Sequence, residues 1–325
     1  MSVASISHRV RLVEWQAVAA DRMAPLVAEE ADRWQRLLDW DTAPHWAEVE
    51  ARRRRGAALG FVAMDDAANV RGWCHYSVRD RGLRLDALNA DNDHIAEMLL
   101  DRLLTGPALT FIERISVWLF TDQHTLTQAL RARGLSVDRY WWLGRELNPV
   151  APPALQGVRQ WRPEDSFATA ALLGRAYESP AETRPFAPLG TPEQWFGYLN
   201  ELTRGVHGTI LPEASLCVPA GPDRLSAVAI VTKVNENTAH IAQLVVDAPM
   251  RRKRLGQQLM QAATAAAARA GCRRVTAVVG GSNRPARSLF EGARYQTMGS
   301  LLAAGMLQPR RSTSVAPPGV SMTRR

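Results

Sequence analysis

Two stretches of the chain, 160 residues apart, resemble each other, and this internal repeat limits the possible fold more than any other feature. Arg114-Ile115-Ser116 parallels Arg274-Val275-Thr276. Single positions match at the same offset: Ala96 with Gly256, Leu99 with Leu259, and Leu135 with Tyr295. One offset that holds without gaps favours a duplicated domain over two unrelated α/β domains of similar size. A chain of 325 residues has room for two domains at ~100–200 residues each.

A proline-rich segment separates the two halves. The residues between Asn148 and Gln156 include three prolines, which lack an N–H donor and fix φ, so the segment predicts a short stiff linker. We therefore predict a domain at 1–148, a linker at 149–156 and a second domain at 157–307. The tail, 308–325, is rich in Pro, Ser and Arg, which is typical of disorder. We expect the two halves to pack through their sheets as a pseudo-symmetric pair.

The C-terminal half alternates between helical and strand patterns. Thr191 and Gln194 predict a capping box at the start of one helix, and Gly271 predicts the end of another. The predicted helices cover 163–177, 191–203, 255–270 and 284–291. The predicted strands cover 214–218, 225–234, 238–246 and 274–279, with a turn at 219–223 between the first two.

Composition narrows the functional classes. The net charge is +8, from 40 Lys and Arg against 32 Asp and Glu, which attracts polyanions in general. No apolar stretch approaches the ~18 residues of a membrane span, and the N-terminus lacks a signal-peptide core, so we expect a cytoplasmic protein without a membrane partner. We do not expect nucleic acid as the partner. Three widely spaced cysteines without a CxxC motif predict buried thiols and no metal site.

The segment from Leu244 to Met260 carries the strongest functional pattern. A predicted strand ends there, and a helix begins behind four consecutive cations, Arg251, Arg252, Lys253 and Arg254. The first N–H groups of a helix have no partner within it, and the helix dipole adds positive charge, so such a turn can hold a pyrophosphate. The alternative is an exposed basic helix start whose charges serve solubility or bind a polyanion.

Two motifs in this half resemble those of a known superfamily. Arg251-x-x-Arg254-x-Gly256 is similar to a pyrophosphate motif, and Asn283 followed by a helix ending in Leu289-Phe290 is similar to a later motif. Together they resemble the GNAT superfamily of acyl-CoA N-acyltransferases over about 150 residues. The resemblance implies an α/β fold of two tandem GNAT-like domains. Each would be a mixed, mostly antiparallel twisted sheet flanked by helices. The tandem arrangement is similar to mycothiol synthase and some antibiotic-modifying acetyltransferases.

The resemblance also implies an activity and site residues. It implies an N-acetyltransferase that moves an acetyl group from acetyl-CoA, its co-substrate, to an amine of a small molecule or peptide. The coenzyme would bind between Val245 and Asn283. Val245 and Val246 would hold its pantetheine arm, and Asn283 would contact it near its thiol end. Phe290 is a further candidate for binding the coenzyme. The pyrophosphate would lie against Arg251, Arg252, Lys253, Arg254, Leu255, Gly256 and Gln257.

Three residues depart from the superfamily's pattern. Arg254 replaces a glycine, Phe290 replaces a frequent tyrosine acid, and Gln243 replaces a frequent glutamate base. Gln243 cannot accept a proton at neutral pH, so His240 and Asp247 are the candidate bases. A non-catalytic CoA-binding or regulatory protein is therefore the alternative function.

The N-terminal half has acidic residues at the phosphate positions. Asp91 to Ala96 contains two carboxylates where the other half has four cations, and carboxylates repel a pyrophosphate. This half is predicted to be a degenerate copy that completes the acceptor pocket or holds the pair together. The candidate acceptor residues in the C-terminal half are Tyr177, Glu178, Glu182, Trp195 and Tyr198.

Overall fold

A computed structural model describes residues 9–79, 81–106, 109, 111–120, 124–148, 156–177, 179–183 and 185–307. Most of the predicted linker (149–155) and all of the predicted disordered tail lie outside the described residues. The N-terminal half contains β1 (Arg11–Glu14), α1 (Ala20–Leu38), α2 (Ala43–Arg54), β2 (Leu59–Met64), β3 (Val70–Arg79), β4 (Gly82–Ala90), α3 (Asp93–Thr105), β5 (Arg114–Phe120), α4 (His124–Ala132) and β6 (Ser136–Glu146).

The C-terminal half follows the same plan with additions at its start. It contains β7 (Arg159–Gln160), α5 (Ser166–Ala176), α6 (Pro180–Thr183), α7 (Pro192–Thr203), β8 (Thr209–Ile210), β9 (Leu216–Gly221), β10 (Arg224–Lys233), β11 (Thr238–Val246), α8 (Leu255–Arg269), β12 (Arg274–Gly280), α9 (Arg284–Gly292) and β13 (Gln296–Leu307). The predicted helices and strands are present, and most of their bounds agree with the structure to within two residues.

The duplication is visible in the element bounds. The pairs β5 and β12, α4 and α9, and β6 and β13 each start 160 residues apart, as the repeat predicts. The offset between β4 and β11 is 156 residues instead of 160. The two halves therefore differ in the length of the turn that precedes α3 in one half and α8 in the other. The tandem α/β fold is confirmed.

Local signals at the helix ends are largely confirmed. Thr191 Oγ1 accepts a hydrogen bond from Gln194 N at 3.4 Å, but the Gln194 side chain accepts from Leu189 N instead of completing the capping box. Gly271 ends α8 with φ +87°, which a glycine adopts without strain. The predicted strand 214–218 is shifted, because the chain turns at Asp223 (φ +51°) and β9 continues to Gly221.

The two halves share one sheet by exchanging their last strands. Within the described residues the strand order is β1-β2-β3-β4-β5-β13-β6-β12-β11-β10-β9-β7, with β8 paired to β10. The C-terminal strand β13 therefore lies between β5 and β6 of the N-terminal half, and β6 lies between β13 and β12. The expectation that the halves join through their sheets is confirmed. The domain boundary itself stays a prediction.

Helices cover both faces of this sheet. On one face, α3 and α4 pack over the N-terminal strands, and α8 and α9 pack over the C-terminal strands. On the other face, α5 and α7 pack over β10, and the end of α1 packs over β6 and β13. All three cysteines are buried and free, as predicted.

Membrane-spanning helices and metal-binding clusters are both absent from the part of the chain that the structure describes. No helix there is both long and apolar enough to cross a bilayer. No cluster of His, Cys, Asp or Glu there could hold a metal ion.

Candidate functional site

A gap opens between β11 and β12 where their pairing ends. These parallel strands pair from Thr238 opposite Arg274 to Ile241 opposite Ala277, and β12 then continues to Gly280 beside β6. On its other edge β11 has a bulge at Ala242, between the pairs Ile230–Gln243 and Val231–Ile241. A bulge bends its strand and increases its twist, so β11 turns away from β12. Among the described residues, nothing pairs with the backbone of 242–246 on the β12 side.

The turn before α8 forms a cradle of backbone N–H groups. Arg252 and Arg254 have φ values of +66° and +62°, and the N–H groups of 252–257 have no acceptor among the described residues. Successive N–H groups at such a turn and helix start favour an anion. Gly256 lies beside β11: a Cβ there would be 3.4 Å from Val246 Cγ2, which is an ordinary van der Waals contact. The cradle therefore lies beside the end of the gap.

The four cations of this turn have different roles. Arg251 folds back, and its Nε and Nη2 donate to the carbonyls of Val246 and Ala176 at 3.0 and 3.1 Å. It braces the turn against β11 and α5. The side chains of Arg252, Lys253 and Arg254 are exposed, and Lys253 Nζ lies 3.7 Å from Met250 Sδ. Leu255 and Gln257, also predicted here, begin the first turn of α8.

Asp247 is a structural carboxylate at the end of β11. Its Oδ2 accepts hydrogen bonds from Arg175 Nη2 and Arg224 Nη2 at 3.2 and 3.3 Å, and its Oδ1 accepts from Ala248 N. Burial alone would raise the pKa of Asp247, but the hydrogen bonds from the two arginines outweigh it and lower the pKa. A carboxylate held in this way is a weak base.

Gln243 lies buried between two tyrosines that sequence reasoning had assigned to the acceptor pocket. The Tyr177 hydroxyl donates to Gln243 Oε1 at 2.8 Å, and Gln243 Nε2 donates to the Tyr198 hydroxyl at 3.1 Å. Trp195 stacks on Tyr177 with ring centroids 5.2 Å apart. The structure thus brings four of the predicted residues together. The Glu178 and Glu182 side chains lie outside the described residues.

His240 is a core residue. Its Nδ1 lies 2.9 Å from Thr276 Oγ1, and its ring stacks on Trp142 with centroids 5.1 Å apart. Burial lowers the pKa of His240 to about 3, so the ring is neutral near pH 7. The residue also lies where β11 and β12 are still paired. This environment argues against its predicted role as a base.

The two remaining predicted coenzyme residues, Asn283 and Phe290, lie in different places. Asn283 follows β12 and caps α9, with its Oδ1 accepting from Ala286 N at 3.0 Å. Phe290 is buried in the core under α9, edge-on to Tyr295 with centroids 4.9 Å apart. Asn283 thus lies just beyond the end of β12, beside the open end of the gap. The packing of Phe290 argues against a coenzyme contact.

Tyr140 is a residue near the site that sequence reasoning missed. It comes from β6 of the N-terminal half and lies opposite Gly280, the last residue of β12. Its hydroxyl donates to the carbonyl of Ala181 in α6. A copy of the repeat considered alone gives no signal for this contact, since it requires the exchange of strands between halves.

The N-terminal half repeats the gap between its strands but has a different turn and the opposite charge next to it. Its β4 and β5 pair only as far as Leu85 opposite Val117. On its other edge β4 has a bulge at Asp86, which lies between the β4 residues that pair with His75 and Tyr76 of β3. Next to the start of α3, Asp93 and Glu97 line a cleft between α3 and α4. The gap geometry is duplicated, and the cationic turn is not.

Comparison with known proteins agrees with this geometry. Residues 175–293 match the family model described as the acetyltransferase (GNAT) family. No curated protein sequence matches the chain. A solved GCN5-related N-acetyltransferase from Sphaerobacter thermophilus is 16% identical, with a TM-score of 0.53 over 76% of this chain and 80% of that one.

Two other solved structures extend over nearly the whole chain. A tandem GNAT protein from the clavulanic acid biosynthesis pathway is 14% identical, with a TM-score of 0.56 over 93% of this chain and 99% of that one. The glucosamine N-acetyltransferase region of a fungal multi-domain β-N-acetylglucosaminidase is 12% identical, with a TM-score of 0.60 over 94% of this chain and 39% of that one. At these identities the likeness concerns the fold. The chain therefore has a tandem GNAT fold, and its residues 175–293 match the acetyltransferase (GNAT) family model.

Proposed function

We propose that the C-terminal half binds acetyl-CoA and transfers its acetyl group to an amine of a small molecule or peptide. One observation carries the proposal: the gap between β11 and β12 leads directly to the N–H cradle of 252–257. An unpaired strand edge can bind the amides of a pantetheine arm as a strand would. A pyrophosphate is the anion that such a cradle suits. The pantetheine arm and the pyrophosphate of one coenzyme molecule thus have neighbouring binding surfaces.

Each coenzyme group has specific candidate residues. In this scheme Val246 offers its backbone N–H to the pantetheine arm, and Asn283 contacts the coenzyme near its thiol end. Val245 lies in a hydrogen-bonded pair with Val228, since Asp247 N donates to Ser226 O and such pairs alternate along an antiparallel ladder, so its backbone groups face β10. Arg252, Lys253 and Arg254 add full charges around the pyrophosphate. In this scheme Arg251 positions the turn through its two carbonyl contacts and does not itself bind phosphate.

The residues around the gap favour direct attack by a neutral amine. Acyl transfer forms a C–N bond and breaks the C–S bond of the thioester, and an ammonium group has no lone pair for the attack. Gln243 has no basic atom, Asp247 is paired with two arginines, and His240 is buried away from the gap. The amine therefore loses its proton to solvent before it attacks.

The experiment combines binding with turnover. Calorimetry on the full chain measures acetyl-CoA binding, and a thiol-release assay across a panel of small amines and peptides measures transfer. We expect binding together with release that depends on one class of amine. No binding of acetyl-CoA would overturn the proposal.

A non-catalytic CoA-binding or regulatory protein is the second candidate. Gln243 and Phe290 favour it, because neither side chain can transfer a proton at the two positions where the superfamily frequently has glutamate and tyrosine. Binding of acetyl-CoA without thiol release for any amine in the panel would support this second function.

A further inference from the structure

We propose that Trp142, a residue of the N-terminal half, restricts the coenzyme site to short acyl groups such as acetyl. The inference rests on the proposed function, because it takes the gap between β11 and β12 as the place of the thioester. It gives the strand exchange a task in substrate choice, since the exchange brings β6 beside β12. In this scheme Trp142 is a wall of the site and takes no part in the chemistry.

The acyl group would lie at the closed end of the gap. The cradle is at the open end, beside Val246, and Asn283 is at the open end of β12. The acyl group is attached beyond the sulfur, so in this scheme it lies deeper in the gap than the atoms that Asn283 contacts. The gap closes at Ile241 opposite Ala277, and Val278 is the next residue of β12. Hydrogen bonds between the paired strands block the way within the sheet, so a longer acyl chain must bend to one face.

The face under α8 and α9 is filled by core side chains. Side chains alternate along a strand, and Ala277 and Val279 point to this face. They share one core with Leu259 of α8 and Phe290 of α9, and the exposed fraction of each of these four residues is 4% or less. A chain that bends this way meets a closed core.

The opposite face is closed by three aromatic rings. His240 pairs with Thr276, and Trp142 pairs with Val278 two residues further along β12, so both rings lie on the face to which Val278 points. The two rings stack with centroids 5.1 Å apart. Trp40, which follows α1, packs edge-on against both, with centroids 5.7 Å from Trp142 and 5.4 Å from His240. This aromatic stack of Trp40, Trp142 and His240 lies next to Val278.

The remaining direction on this face leads towards Gln243. On β10, Ile230 opposite Gln243 and Thr232 opposite His240 are two residues apart, so Gln243 lies on the His240 face in spite of the bulge in β11. The attacking amine needs this direction to reach the acetyl carbon, since the core closes the other face. Extra methylene groups on the acyl chain therefore compete with the indole of Trp142 for space.

Trp142 fills its place without a polar contact that the structure shows. Its exposed fraction is 2%, and its Nε1 has no hydrogen-bond partner among the described residues. A leucine at this position therefore removes volume without breaking such a bond. Added methylene groups are unfavourable in a packed site, and they are favourable in a cavity that they can fill.

The test compares two tryptophan-to-leucine substitutions in the full chain. Trp142→Leu opens the aromatic stack. Trp15→Leu is the matched control: Trp15 is 1% exposed, its ring centroid lies 5.0 Å from that of His75, and its Nε1 also has no partner among the described residues. Trp15 belongs to a separate core in the N-terminal half. Calorimetry measures Kd for acetyl-CoA and for butyryl-CoA, whose acyl chain is longer by two methylene groups.

The expected result is a change in the ratio of the two dissociation constants. We expect wild type and Trp15→Leu to bind acetyl-CoA about tenfold or more tightly than butyryl-CoA, which corresponds to ~1.4 kcal/mol. Trp142→Leu should bind butyryl-CoA at least as tightly as acetyl-CoA, because the added methylene groups fill the cavity. Trp142→Phe removes less volume and should give an intermediate ratio, which covers the case that Trp142→Leu does not fold.

Two results would overturn the proposal while leaving the proposed function intact. One is a wild-type protein that binds butyryl-CoA as tightly as acetyl-CoA. The other is a folded Trp142→Leu or Trp142→Phe protein that keeps the wild-type ratio. A wild-type protein that binds neither ligand gives a different result, because it overturns the proposed function itself.

Discussion

Tyr140 and Gly280 lie opposite each other on neighbouring strands, although they belong to different halves of the chain. Their pairing follows from the exchange of β6 and β13, which makes each half incomplete without the other. The strand β12, which forms one edge of the gap, is thus paired on its other edge with a strand of the half that lacks the cationic turn.

The strand exchange predicts that neither half folds alone. Expression of 1–148 leaves β5 and β6 without β13 between them, and expression of 157–307 leaves β12 and β13 without β6. Long unpaired strand edges promote aggregation. We expect no cooperative thermal transition for either half by circular dichroism, and recovery of one transition when the halves are co-expressed. A stable isolated C-terminal half would contradict this.

Charge at the cradle should control coenzyme affinity. Arg252→Glu reverses a charge beside the N–H groups of 252–257, and we expect acetyl-CoA binding to weaken on the order of tenfold or more at low salt. Asp93→Lys, at the start of α3 in the other half, is the matched control and should leave the affinity unchanged. Calorimetry at two salt concentrations measures both. Equal effects of the two substitutions would argue against a single coenzyme site.

Arg254 should be under backbone strain. Its φ of +62° lies in the left-handed region, which costs a non-glycine residue about 1 kcal/mol. We expect Arg254→Gly to raise the free energy of unfolding by about that amount, measured by urea denaturation. Arg254→Ala removes the same charge without relieving the strain, and it should not stabilise the protein. A destabilised glycine variant would show that the arginine side chain makes an energetically important contact.

Stability should fall as the pH falls below about 6.5. His240 has a folded-state pKa of about 3 and an unfolded value near 6.5, so the unfolded chain binds more protons between these limits. Its stabilising contribution is complete above pH 6.5 and is lost towards pH 3. We expect His240→Gln to flatten the dependence of unfolding free energy on pH between 6.5 and 4. The exposed His94→Gln is the control and should retain the wild-type slope.

A carboxylate at position 243 should help the proposed reaction. Gln243→Glu keeps the shape of the side chain and gives an acceptor for the amine proton on the Trp142 side of the sheet. We expect kcat at pH 7 to rise by up to about tenfold, which corresponds to ~1.4 kcal/mol of barrier. The thiol-release assay measures it, with Gln243→Met as a control that adds no base. No gain for glutamate would mean that the amine does not pass Gln243.

The sequence by itself determined the features that depend on short-range patterns. The constant offset from Arg114 and Arg274 predicted the duplication, and the cations at 251–254 predicted the turn before α8. Thr191 and Gly271 predicted helix ends, because capping depends on residues within one turn. These signals depend on residues that are close in sequence, so they predict local structure without knowledge of how the rest of the chain folds.

Only the tertiary structure decided which side chains meet at the gap. Position along the chain suggested roles for His240, Asp247 and Phe290. The fold buries His240 and Phe290 in the core and pairs Asp247 with two arginines. The fold also turns the Arg251 side chain back onto the Val246 carbonyl, and it brings Tyr140 of the N-terminal half beside Gly280 of the C-terminal half. Burial and pairing between residues more than a hundred positions apart depend on the order of strands in the sheet. That order is a property of the whole packed chain, and neither copy of the repeat encodes it alone.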